Sequence, residues 1–287
     1  LAPASNGSKG EYVVTSAKSW PGPRSLCGVV GSPEELPGGA PPELGGGPIV
    51  KVCKIAFDAD FEFFQANNSS VDDTVTDIES VMAAVSLIYQ NDVGITFEIT
   101  TVVVRSTIAD PYSGSSASSL LSQFKTEWDT NLGGVDRNVA HLMTSRTLSS
   151  GVLGDAHMAG ICNTLGYGLS LSTWVPLFSW RVAVTAHYLG HNFNAGHCST
   201  SCASPSCNIM CPCITGCSGV IDQFTPSEAS QIIAFRDSSP ISSCLQSYPG
   251  EFTLNPFFSD RFPGTFLDTI RWPYNRGGAI NSAAVNS

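Results

Sequence analysis

Charge is scarce in this chain. Of its 287 residues only 13% are charged, with 14 basic against 24 acidic side chains and a formal net charge of -10. Nucleic acid and anionic lipid surfaces are gripped by clustered Lys and Arg, so both are excluded as natural partners, and a neutral or basic partner fits better. Long hydrophobic runs are also lacking. Nothing approaches the roughly 20 apolar residues that a helix needs to cross a bilayer, which predicts no membrane span. Histidine is rare, with five in the whole chain, so any place where several meet carries weight.

Cysteine, by contrast, is plentiful, with ten residues. In a chain poor in Lys and Glu this points to an oxidising compartment where thiols pair, and the chain reads as secreted or extracellular. It begins at Leu1, and the expectation is a segment cut from something longer, with any secretion signal removed or never included. A hydrophobic content of 42% is ample for a packed core.

Residues 1–50 are rich in Pro and Gly and show little periodic apolar pattern, so they read as a linker or propeptide remnant. From Lys51 the character changes. Val52, Ile55 and Phe57 predict a strand, and Val75, Ile78, Val81, Met82, Val85 and Ile88 recur at helical spacing. Residues 94–105 (GITFEITTVVVR), placed after a turn at Asn91-Asp92, are dense in β-branched side chains and read as a largely buried strand. Leu120, Leu121, Phe124 and Trp128 mark a second helix. Residues 138–143, 156–161 and 166–171 read as further strands and 182–192 as a helix. Thr225, Pro226 and Glu228 supply an N-cap, an N1 proline and a capping-box acid for a last helix. The mixture gives an α/β or α+β class. Asp58, Asp60, Asp72 and Asp73 read as solvated loop and helix-start acids.

Three of the five histidines fall in residues 185–198, TAHYLGHNFNAGHC. His187 and His191, one helical turn apart, present both imidazoles on one face, the i, i+4 arrangement that suits a single metal ion. His197 follows Asn194 and Gly196, where the chain can leave the helix and turn back. Three neutral imidazoles and a water then make a tetrahedral zinc site with one open position. His141 and His157 each stand alone in an apolar strand and read as packed or hydrogen-bonded side chains.

The run HYLGHNFNAGHC resembles the long zinc motif of metzincin peptidases, and its LGHNF core is closest to the reprolysin or adamalysin branch. The resemblance spans roughly residues 51–245. It implies a Zn2+ cofactor held by His187, His191 and His197, a zinc helix, and a methionine turn that sets Met210 beneath the imidazoles. Residues 138–163 are similar to the family's third and fourth strands. The fourth is an edge strand that pairs with an extended peptide substrate, which would place Ala156, His157, Met158 and Ala159 along the cleft of a twisted mixed sheet. The domain so outlined is 51–248. Residues 249–287 are a tail, or the start of a truncated module whose FSDRFPGTFLDTIRW resembles a jelly-roll opening.

Two positions depart from the family pattern. Asn194 stands for a glycine, which is tolerable because Asn enters left-handed conformations more readily than most residues. Tyr188 stands where the family has the glutamate that takes a proton from the zinc-bound water. A phenol with a pKa near 10 is no comparable base. The implied activity is zinc-dependent peptide hydrolysis, lost or strongly impaired in this chain. The alternative is a non-catalytic peptide-binding or adhesion module of a larger extracellular protein, and a third reading is a disulfide-rich domain without metal.

Cys198, Cys202, Cys207, Cys211, Cys213 and Cys217 read as a knot of disulfides whose fifteen pairings the sequence leaves open. By the family resemblance Cys162 bridges to Cys244. Cys27 and Cys53 either pair with each other, as parity suggests, or Cys27 acts as a cysteine switch. Residues 24–30, RSLCGVV, are similar to the propeptide segment in which a thiolate fills the open zinc position.

Overall fold

Alternating apolar residues on β3 (Lys51–Ala59) send Ile55 and Phe57 to one face and Ala56 to the other, and both faces are covered. The computed structural model describes residues 2–3, 12–13, 27–29, 50–173, 177–198, 208–212 and 222–247. Ahead of β3, β1 (Ala2–Pro3) and β2 (Tyr12–Val13) form a small antiparallel pair. After it come α1 (Phe61–Ala66), α2 (Val71–Val93), β4 (Ile95–Val104), α3 (Ala117–Asn131) and β5 (Val139–Thr144). Then follow β6 (Gly154–Ala156), β7 (Tyr167–Leu171), α4 (Phe178–Asn192), α5 (Pro226–Asp237), α6 (Ile241–Cys244) and β8 (Gln246–Ser247).

The main sheet runs β4-β3-β5-β7-β6, with β8 paired to β3. β4, β3, β5 and β7 are mutually parallel, whereas β6 at the edge is antiparallel to β7. The class is therefore mixed α+β, as expected. One core lies between the sheet and α2, α4 and α5. A second lies between the opposite face and α3, where Leu120, Leu121, Phe124 and Trp128 are all buried.

Helix ends follow local chemistry. Ser70 caps α2 through a bond from the Asp73 amide, exposed Asp72 and Asp73 complement its dipole, and Gly94 closes it at φ 62°. Asn91 and Asp92 therefore belong to the last turn of α2 and do not form the turn expected there. At α5, Thr225 and Glu228 make the reciprocal capping box with Pro226 in the first turn. Among the described residues no helix is long and apolar enough to cross a membrane.

The expectation of solvated acids fails at Asp58 and Asp60, both fully buried. Asp58 Oδ2 accepts from Arg105 Nη2 at 2.8 Å, Tyr112 Oη at 2.7 Å and Trp128 Nε1 at 2.8 Å, so its charge is neutralised and its lone pairs filled. Asp60 caps α1, accepts from the Phe63 amide at 2.7 Å and from Thr144, and faces Arg146. Every neighbour of Asp58 Oδ2 is a donor, so Asp58→Asn would turn an NH2 group or a weaker acceptor toward them. The variant is expected to lose about 3–5 kcal/mol by urea unfolding. A loss under about 1 kcal/mol would mean that the network contributes little.

Cys162 is bonded to Cys244, which ties the loop after β6 to the end of α6. Cys198 is bonded to Cys211. Cys202, Cys207, Cys213 and Cys217, with residues 249–287, lie outside the described residues. Cys27 and Cys53 do not pair: both are free thiols, and Cys53 is buried inside β3. The pairing expected from parity does not form, because one sulfur is enclosed by the sheet core while the other faces the histidines.

Candidate metal centre

Helix α4 buries His187 and His191 one turn apart, each 1% exposed, on the face turned toward the chain that follows it. It is fixed on its far side by Tyr89, whose hydroxyl donates to the Ala186 carbonyl at 2.8 Å. Beyond the helix, Asn194 takes φ 66°, the left-handed turn expected of it, and the Ala195 amide bonds the Gly190 carbonyl at 2.9 Å. This bend brings the ring of His197 to within 5.4 Å of His187 and 4.7 Å of His191, centroid to centroid.

The hydrogen bonds define the tautomers. His187 Nδ1 lies 2.6 Å from the Ile209 carbonyl and His191 Nδ1 lies 2.8 Å from the Ala195 carbonyl. A carbonyl only accepts, so both Nδ1 atoms carry the protons and both Nε2 atoms present lone pairs. Those two Nε2 atoms face one another at 3.0 Å. Burial lowers His187 to about 3 and His191 well below its ordinary value, and it lowers His197 too, so a shared proton is disfavoured. Two converging lone pairs at that distance repel unless a cation lies between them.

Cys27 completes the group. Its Sγ is 3.4 Å from His191 Nε2, and the ligand atoms of Cys27, His187, His191 and His197 all lie within 4.8 Å of one another, so these four residues could hold a metal ion. Burial pushes the Cys27 thiol up to about 12. A thiolate here therefore needs a positive charge beside it. The stretch 27–29 enters alongside the sheet edge, where the Gly28 amide donates to the Gly154 carbonyl at 3.2 Å.

Met210 is fully buried and fills the space left by Gly190 on α4, where a Cβ would collide with its sulfur. The Met210 carbonyl accepts from the Cys198 amide at 2.9 Å. Tyr188 packs in a separate cluster with Val29, Leu153, Ala156, Trp180 and Val184. Burial raises its phenol well above 10, so at neutral pH it is a hydrogen-bond donor and not a base.

The edge strand differs from the expectation of 156–161. It is Gly154–Ala156, so of the four residues assigned to it only Ala156 lies within it. The His157 amide still bonds the Tyr167 carbonyl at 3.1 Å, but Ala159 has φ 51° and spends its amide on the His191 carbonyl at 3.0 Å. The chain thus leaves the edge after His157 and turns under α4, carrying Met158 and Ala159 out of the strand. Asn192 locks this turn by donating to the carbonyls of His157 at 2.9 Å and Tyr167 at 3.0 Å. His141 is a packed histidine as expected, bonded through Nε2 to Ser170 Oγ at 2.7 Å. His157 is half-buried beyond the strand end and outside the cluster.

Sequence reading did not single out Asn192, Trp180 or Gly154. Gly154 carried a signal, since a glycine inside a strand marks close approach of another group. Here a Cβ would collide with the Leu169 carbonyl and stand 2.5 Å from the Tyr188 ring.

A family model described as Metallo-peptidase family M12 matches residues 50–220. That stretch contains β3 through α4, the three clustered histidines and Met210, and it excludes Cys27. No curated protein matches the chain.

Proposed function

We propose, from the premise that this chain belongs to metallo-peptidase family M12, that it is a secreted zinc-peptidase domain held in a closed, hydrolytically impaired state. Peptidases of this kind are metal-dependent and act on peptides or proteins. The observation that carries the reading is the 3.0 Å approach of two imidazole lone pairs, with Cys27 Sγ 3.4 Å from one of them. Tetrahedral ligation at about 2.0–2.1 Å for nitrogen and about 2.3 Å for sulfur sets spacings close to these, and a three-His, one-Cys donor set suits Zn2+.

In this reading His187, His191 and His197 hold the zinc, which when bound supplies Lewis acidity toward a water and a peptide carbonyl. Cys27 takes the fourth position as a cysteine switch, and residues 27–29 act as the inhibitory propeptide segment. Met210 packs under the helix that carries the first two ligands, in the manner of a methionine turn. β6 presents the main-chain edge to which an extended peptide would add, beginning at Gly154. Tyr188 cannot take a proton from water. A site with both its open position filled and its base replaced hydrolyses slowly or not at all. Among the described residues, the disulfides Cys162–Cys244 and Cys198–Cys211 and the absence of a spanning helix are compatible with an extracellular location.

A second reading, a peptide-binding or adhesion module that never cuts, is favoured by the same filled cleft. Elemental analysis of the full chain after reconstitution is expected to find one zinc per molecule, and none in His187→Ala. A wild-type chain that takes up no metal would end both zinc-based readings.

A further inference from the structure

Tyr188 does more than leave the site without a base. Its ring, 1% exposed, enters the notch at Gly154 and packs on Val29. Its hydroxyl lies against the Cys27 side chain and the Gly28 main chain. The Cys27 sulfur also accepts from the Val29 amide at 3.4 Å, while the Gly28 amide holds the edge strand. The sulfur thus meets the Val29 amide and an imidazole, with the Tyr188 hydroxyl beside it and the negative charge of Asp155 acting on it.

Donors favour a sulfur that acts as ligand, because they spread the negative charge of a thiolate. A glutamate at this position has the opposite character: it brings a second anion and no donor toward the same sulfur, and it leaves the Val29 side chain without the ring it packs on. We propose that Tyr188 is a positioning residue for Cys27, its hydroxyl donating to the sulfur and its ring anchoring Val29, so that residues 27–29 are held over the histidine cluster. The replacement of an acid by a phenol therefore tightens closure of the site as well as removing its base. This rests on the reading of Cys27 as occupant of the fourth ligand position.

The test is alkylation of native full chain by iodoacetamide, with the modified cysteine located by mass spectrometry and metal content measured on the same samples. Cys53, buried in β3, serves as the internal control. Tyr188→Phe keeps the ring and loses the donor. Cys27 is expected to be alkylated about 10- to 100-fold faster than in wild type, the factor carried by one hydrogen bond to a charged acceptor, with an unchanged thermal midpoint. Tyr188→Glu is expected to label at least as fast. Tyr188→Met, which also lacks a donor, takes the place of the Phe variant if that fails to fold. Metal-loaded Tyr188→Phe that labels within twofold of wild type overturns the proposal while leaving the zinc site standing. Faster labelling in a chain that holds no metal supports the contact between Tyr188 and Cys27 and removes the zinc reading.

Discussion

Treatment with a strong chelator at neutral pH is expected to lower the thermal unfolding midpoint by roughly 8–16 °C. A ligand present at about 1,000 times its dissociation constant stabilises the folded state by about 4 kcal/mol, and each kcal/mol moves the midpoint of a domain this size by about 2–4 °C. The physical origin is specific. Both Nδ1 protons are committed to carbonyls, at 2.6 and 2.8 Å, so neither ring can turn its Nε2 lone pair away without breaking a buried hydrogen bond. Loss of the cation leaves that repulsion inside a site from which water is largely excluded. His187→Ala removes one of the opposed lone pairs together with a ligand, so its midpoint should be lower than wild type and indifferent to chelator. Differential scanning calorimetry with and without chelator checks this, and a wild-type midpoint that does not move would refute it.

The second large effect concerns activity. In the proposed reading two obstacles stand together, the Cys27 sulfur at the cluster and the lack of a base at Tyr188; removing Cys27 restores no base, and a glutamate at 188 loosens Cys27 without removing it. Wild type and Cys27→Ala are expected to cleave an unfolded protein substrate negligibly. Tyr188→Glu, which also loosens Cys27, should show weak cleavage. The double variant Cys27→Ala, Tyr188→Glu should exceed Cys27→Ala by about 100-fold or more, since a general base typically contributes about 100- to 10,000-fold, and should also exceed Tyr188→Glu because the sulfur is gone. The effect is non-additive because the two positions touch. Initial rates on a quenched fluorescent casein provide the measurement. Brisk turnover by Cys27→Ala alone would show that Tyr188 is no impediment, and a double variant as inert as wild type would favour the module that binds without cutting.

Much of this was legible in residues that carry their own local signal. Histidines four apart on an apolar helix, an Asn where a left-handed turn is needed, and Thr225, Pro226 and Glu228 at a helix start each act within a few positions, so their spacing alone predicted α4, the bend after it and α5. The edge strand was misplaced because Gly154 contributes no side-chain pattern and its membership rests on pairing with β7. The burial of Asp58 was hidden because its partners Arg105, Tyr112 and Trp128 lie 47, 54 and 70 residues away. Counting cysteines could not tell a thiol facing three imidazoles from one enclosed in a β-strand. That distinction depends on which surface each segment meets in three dimensions.

The notch at Gly154 exists whatever stands at position 188. A side chain there would collide with the Leu169 carbonyl, so close pairing of the two strands by itself demands glycine and leaves a slot beside the helix. A flat ring on α4 can slide into that slot without a matching change elsewhere. With a shorter side chain at position 188 the slot would stand open beside the edge strand as a groove.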